Sequence, residues 1–159
     1  MKKRRLKKNA NNATNQKKLV ASKKKAVAST FSEGVLSLDR LEKSIQGGDA
    51  DAMLNLGNRY RHGQGVPQDL TRARELFEQA VQADHPGAML NLGNMYRDGQ
   101  GVPQDLIRAR ELFEQAVQAD HPGAMVNLGS MHKHGQGVPQ NLTRARELYE
   151  QAVQAGNAN

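Results

Sequence analysis

The chain contains no cysteine and no tryptophan, and aromatic residues make up only 4% of its 159 positions. Without cysteine there is no disulfide framework, no thiolate zinc site and no thiol nucleophile. With so few rings, a core has to be assembled from Ala, Leu, Val and Met, which suits thin two-helix layers better than one thick globular core. Acidic residues are missing from the whole stretch before Glu33. Long apolar runs are missing too: Leu6 is followed by Lys7, Lys8 and Asn9, where a secretion signal requires an apolar segment of about 7–15 residues. These absences lead us to expect a cytoplasmic protein with no secretion signal and no membrane span. Nuclear placement stays open in a eukaryotic cell. A mitochondrial leader is disfavoured, because the lysine-rich start has no clear amphipathic face.

What the chain does contain is repetition. A block beginning at Ala52 returns at Ala88 and at Ala124, 36 residues apart each time. The first two copies differ only at Arg59 against Met95, His62 against Asp98, and Thr71 against Ile107. A fixed period of this size means a stacked array of supersecondary units. The sequence therefore divides into a basic tail over 1–35, a capping half-repeat over 36–51, and repeats over 52–87, 88–123 and 124–159.

The net charge of +7 hides an asymmetry. Lys2, Lys3, Arg4, Arg5, Lys7, Lys8, Lys17, Lys18, Lys23, Lys24 and Lys25 all precede Glu33, and they are 11 of the 23 basic residues. The rest holds 23 − 11 = 12 basic and all 16 acidic residues, a formal charge of −4. Residues Met1 to Thr30 have few large apolar side chains to offset ordering entropy and read as disordered in isolation. Such a tail suits nucleic acid or an anionic surface, or nuclear import; with no aromatic before Phe31 to stack on bases, binding through it would ignore sequence.

Each repeat reads as a helical hairpin. In the second copy, Ala88 to Tyr96 carries apolar residues at helical spacing and stops at Gly99, where positive φ can close a helix. After the loop Gly99 to Gln104, Asp105 stands where an N-cap acceptor belongs. Leu106, Ala109, Leu112, Phe113, Ala116 and Val117 then recur at spacings of three and four, opposite Arg108, Arg110, Glu111 and Glu114. The next hairpin opens at Pro122, a residue suited to the first helical turn. Leu41, Ile45 and Gly48 stand 36 residues before Phe77, Val81 and Asp84, so Leu38 to Gln46 reads as an orphan second helix capping the array. Gly57, Gly93 and Gly129 lie inside helices at a cost of about 1 kcal/mol against Ala, which a close neighbouring helix would compensate. The arginine and glutamate rows, Arg72, Arg74, Glu75 and Glu78 with their copies, are expected to form intrahelical pairs on a solvated face.

The pattern Ala52, Leu56, Gly57, Tyr60, Gly63, Gly65, Val66, Asp69, Ala73 and Ala80, with its copy from Ala88 to Ala116, resembles the Sel-one-like repeat family, relatives of tetratricopeptide repeats. The third copy departs at His132 for Tyr and at Asn141 for Asp, and Asp84 and Asp120 replace the glycine seen at Gly156. The resemblance covers Leu38 to Gly156. It implies an all-α, right-handed α-solenoid of three hairpins plus an N-terminal capping helix, serving as a non-catalytic protein–protein interaction scaffold. By analogy with tetratricopeptide arrays, the first helices line the concave surface. Some Sel-one-like proteins are linked to β-lactam binding, but they carry cysteine pairs that this chain lacks.

On each first helix, residues at i, i+4, i+7 and i+8 share a face. The candidate partner-binding face is therefore Leu54, Asn58, Arg61 and His62, then Leu90, Asn94, Arg97 and Asp98, then Val126, Ser130, Lys133 and His134. It suits an extended or helical peptide bearing acidic residues. No catalytic constellation is present, since Ser and Asp fall only at scattered or repeated structural positions. The loop glycines lack the Gly-Lys-Ser/Thr ending or the preceding strand of a phosphate motif. His132 and His134, at i, i+2, point to different faces, so no metal or cofactor is expected. His85 and His121 are expected in exposed turns, and His132 in the packing position of Tyr. Leu148, Tyr149 and Val153 are expected to lack a covering repeat, which allows weak end-to-end association of an otherwise monomeric chain.

Overall fold

The computed structural model describes residues 38–157. The basic clusters of the tail, Lys2 to Lys25, lie outside them. Among the described residues there are seven helices and no strand. They are α1 (residues 38–46), α2 (Ala50–His62), α3 (Leu70–Gln82), α4 (Pro86–Asp98), α5 (Leu106–Gln118), α6 (Pro122–His134) and α7 (Leu142–Asn157). Residues 41–157 form one compact unit, in which α2 packs with α3, α4 with α5 and α6 with α7 as hairpins, while α3–α4 and α5–α6 join one hairpin to the next. This is the α-solenoid that the repeat implies.

Local chemistry sets each boundary. Asp69 and Asp105 accept hydrogen bonds from the backbone N–H groups of Arg72 and Arg108, both at 2.9 Å, and Asn141 does the same for Arg144 at 2.9 Å. The change from Asp to Asn in the third copy therefore keeps the cap, as expected of two near-equal N-cap residues. The first helices end on Gly63, Gly99 and Gly135 at φ 68°, 67° and 66°, a left-handed conformation that glycine adopts without steric cost. Asp84 and Asp120 both take φ 55°, the tolerance that let Asp stand at these positions. Behind each glycine the loop is pinned by a glutamine: Gln68, Gln104 and Gln140 donate to the carbonyls of Arg61, Arg97 and Lys133 at 2.9, 2.8 and 3.0 Å.

The core runs between repeats rather than within each one. Ala73, Phe77, Leu92, Met95 and Leu112 form one buried cluster, and Ala109, Phe113, Leu128, Met131 and Leu148 form the next. Each cluster draws on two successive hairpins. In front of them, Ile45 of α1 packs on the cluster of Met53, Ala80 and Ala88. Met95 and Met131 are fully buried, whereas the corresponding Arg59 is half-buried. One of the three differences between the first two copies thus falls where the second copy has a full hairpin before it and the first has only the capping helix. The outward face carries the expected pairs, Arg72–Glu75, Arg108–Glu111 and Arg144–Glu147 at 3.0 Å, each of a kind worth only about 0.2–0.5 kcal/mol.

Two expectations are corrected. His85 and His121 are half-buried N-caps, not exposed turn residues. His85 Nδ1 accepts from the Ala88 N–H at 3.3 Å and its Nε2 lies 2.9 Å from Asp51 Oδ1, so the neutral ring with hydrogen on Nε2 serves both contacts. At His121 the Asp51 position is occupied by Gly87, and His121 Nδ1 is buried with no hydrogen-bond partner. The second correction concerns α7: Leu148 is fully buried and Tyr149 half-buried, because both face α6. Of the three residues expected to be uncovered, only Val153 is exposed.

Gly57, Gly93 and Gly129 receive an aromatic ring from the other helix of their own hairpin. A Cβ on Gly93 would stand 2.6 Å from Phe113 Cε1, and at Gly57 and Gly129 the nearest ring atoms of Phe77 and Tyr149 would be 2.5 and 2.8 Å away. Gly93→Ala should therefore lose stability despite a helix-propensity gain of about 1 kcal/mol. Gly93→Leu should lose more, about 1–3 kcal/mol beyond that gain, by overpacking. Urea unfolding checks both, and the Gly93→Ala loss should shrink in a Phe113→Leu background, where the ring is gone.

Burial lowers the pKa of His121. The folded chain therefore binds that proton less readily than the unfolded chain. The contribution is fully present above the unfolded value of about 6.5 and declines as pH falls below it. Thermal unfolding should move to lower temperature between about pH 7.5 and pH 5.5. His121→Asn, which removes the titrating ring and supplies a preferred N-cap residue, should flatten part of that slope.

Candidate partner-binding face

The side chains chosen from the sequence lie on α2, α4 and α6, and several of them are joined across repeats. Asn91 Nδ2 donates to Asn58 Oδ1 at 2.9 Å, and Asn127 Nδ2 donates to Asn94 Oδ1 at 2.8 Å. Both bonds link residues 33 positions apart on neighbouring first helices. All four amides are half-buried. Ser130 occupies the third Asn58-equivalent position and Asn55 the first Asn91-equivalent position, so the ladder has two bonds and two open ends.

The cations are also drawn into the array. Arg61 donates from Nε and Nη2 to Gln100 Oε1 of the next loop at 3.1 and 2.8 Å. Arg97 forms a two-bond pair with Asp98, at 2.8 and 3.1 Å. The hydrogen bond from Arg97 holds the Asp98 carboxyl below its ordinary range; the Arg97 and Arg61 charges add to this and partial burial opposes it. Burial lowers the Arg61 pKa, with Asp98 acting against it and Arg97 adding to it. Asp98 therefore lies in the field of both arginines, whereas the first copy has His62, exposed, at that position. Lys133 and His134 are exposed.

The apolar members divide. Leu54 and Leu90 are half-buried, and their Cδ2 atoms would each lie 3.1 Å from a Cβ on Gly87 and Gly123. They pack the first helices against one another through those glycines. Val126, with no following first helix among the described residues, is 46% exposed. The face thus combines half-buried amides, three cationic positions and one open apolar side chain.

Asn91, Asn127 and Gln100 were not among the residues selected by helical spacing. The signal for the first two was in the sequence: Asn recurs at 55, 91 and 127 in every copy although Asn is a poor helix former. Gln100 lies in a loop whose path could not be set by periodicity. Among the described residues, no three His, Cys, Asp or Glu side chains converge as a metal-binding set, and no helix is long and apolar enough to cross a membrane.

The hairpin array can be compared with known proteins. The Sel1 repeat matches three times, over residues 50–85, 86–121 and 122–157. Among solved structures, a Sel1 repeat protein from Oxalobacter formigenes is 33% identical with a TM-score of 0.67, the match covering 76% of this chain and 90% of that one. A protective antigen of uropathogenic Escherichia coli that displays an SLR fold is also 33% identical, with a TM-score of 0.71 over 75% of this chain. The match spans only 26% of the antigen's length. The cysteine-rich protein B of Helicobacter pylori shares the fold at 21% identity and a TM-score of 0.60, covering 75% of this chain and 90% of that one. No curated protein matches the chain. Three successive matches in register with three observed hairpins show that this chain belongs to the Sel1 repeat family.

Proposed function

We propose that the chain is a non-catalytic scaffold that binds an extended or helical peptide segment of a protein partner across α2, α4 and α6. The family is generally one of protein–protein interaction modules. The observation that carries the reading is the amide ladder. In each Asn–Asn pair one oxygen and one N–H are used between repeats, leaving Asn58 and Asn94 a donor edge and Asn91 and Asn127 an acceptor oxygen. A peptide unit offers one acceptor and one donor, so such pairs match a main chain without reading its sequence.

Selectivity would come from charge. Arg61, Arg97 and Lys133 recur at the same position of the three first helices, and Asp98 offsets one of them. The surplus is cationic and favours a segment bearing acidic side chains. The ladder also fixes neighbouring helices before the partner arrives, which lowers the ordering cost of binding.

Capture from the native cell, followed by affinity measurement on the partner recovered, tests this. The chain lacking Met1–Thr30 should bind as the full chain does, whereas Lys133→Glu should weaken binding by about tenfold or more, the scale of one charge-assisted hydrogen bond. Asn94→Ala should weaken binding and also lower stability, since it removes an inter-repeat bond. A partner bound equally by Lys133→Glu and Asn94→Ala removes this face from consideration. A partner lost with the tail and released by salt assigns the function to the lysine clusters instead.

A further inference from the structure

The first two copies use the same edge of an arginine differently. Arg61 gives Nε and Nη2 to Gln100 Oε1, in the loop of the next repeat, at 3.1 and 2.8 Å. Arg97, its equivalent 36 residues on, gives the same two nitrogens to the Asp98 carboxylate beside it, at 2.8 and 3.1 Å. Gln136, the counterpart of Gln100 in the following loop, is exposed, whereas Gln100 is half-buried. The two copies differ here at a single position: residue 98 is Asp, and its counterparts are His62 and His134. Where the first copy holds its arginine with a neutral amide of the next loop, the second holds it with a carboxylate of its own helix.

The two arginines therefore offer unequal charge to a ligand. The Arg61 guanidinium stands against a neutral amide, while that of Arg97 is compensated by a two-oxygen contact of the strong, charge-assisted kind. The Asp98 carboxyl is held below its ordinary range first by the hydrogen bond from Arg97 and also by the Arg61 charge, so Asp98 lies in the field of both. A carboxylate brought to Arg97 meets Asp98 at the same fork, and a like charge so placed is a means by which an interface rejects the wrong side chain. We infer that Asp98 is the specificity-determining residue of the face on α2, α4 and α6: it directs an acidic side chain of the bound peptide to Arg61 and disfavours one at Arg97. The inference rests on the peptide-binding reading of this face. It narrows the partner to a segment whose carboxylate is anchored at the first repeat and whose side chain facing the second is neutral.

Heteronuclear NMR of the full chain tests this, with capped hexaglutamate as the probe and circular dichroism melts verifying that each variant folds. The readout is the side-chain Nε–H signal of Arg61 and of Arg97, assigned through Arg61→Gln and Arg97→Gln, which separates the face from contacts that the basic tail makes with the probe. In the wild type the Arg61 signal should reach half its shift at a lower probe concentration than the Arg97 signal. Asp98→Asn should lower the concentration needed at Arg97 by about three- to tenfold, the range of one partly exposed charge contact. Asp98→His, which installs the residue of the other two copies, should do the same. Asp120→Asn makes the Asp98→Asn change in net charge away from this face, at a left-handed position that Asn accepts, and should leave both signals as in the wild type. Read at Arg61, Arg97→Gln should weaken binding by a larger factor in the Asp98→Asn background than in the wild type. An Arg97 response that Asp98→Asn leaves unchanged, or that Asp120→Asn raises equally, overturns the inference; an Arg61 response weakened by Lys133→Glu then leaves the peptide-binding reading standing. If neither arginine signal moves in any variant, the inference falls and an acidic partner for this face falls with it.

Discussion

The hairpin depends on one close approach, the aromatic ring of the second helix lying on a glycine of the first. Phe77 on Gly57, Phe113 on Gly93 and Tyr149 on Gly129 repeat it three times, with ring atoms so near that no Cβ fits. Helical glycine is unfavourable by itself. It is tolerated because the ring brings the two backbones together and fills the space between them. The ring also reaches into the cluster shared with the next hairpin, since Phe77 and Phe113 contact Leu92 and Leu128 through their clusters. One contact therefore sets both the depth of a hairpin and the seat of its neighbour, which lets a chain with so few aromatic residues build a continuous core.

Helical periodicity made the hairpins, their glycine ends and their Asp caps legible, because each is a local choice that recurs in every copy. The capping helix was legible for the same reason, through the 36-residue offset from Leu41 to Phe77. Position within the array was not. Leu148 looked uncovered when only its lack of a following repeat was considered, but it faces back towards α6 and is fully buried. The residues that do lose cover, Leu142 and Val153, lie on the opposite side of the same helix. His85 was misjudged because histidine is an uncommon cap; only the fold places Asp51 where it takes the second ring nitrogen and orients the first towards Ala88.

The candidate face was legible in part, for a related reason. Spacing along one helix identifies which side chains share a stripe, and that located Asn58, Asn94 and the three cations. It cannot say which of them meet a side chain on the next helix, because that depends on the translation between repeats. The offset of 33 between bonded asparagines is one turn short of the 36-residue period. Neighbouring first helices therefore match position 4 of one copy with position 7 of the copy before, counting from the opening Ala.

That shift decides which amide atoms meet. Each bond uses the oxygen of an upstream amide and one N–H of a downstream amide, and it leaves the upstream NH2 and the downstream oxygen outside the bond. The same bonds that hold α2 to α4 and α4 to α6 thus determine which amide atoms they leave unused. Because both bonds rest on half-buried amides, their geometry is set by packing within the array. The cations are less constrained: Arg61 and Arg97 are already engaged by Gln100 and Asp98, while Lys133 is exposed. Of the three cationic positions, the exposed one therefore lies at the end of the face nearest α7.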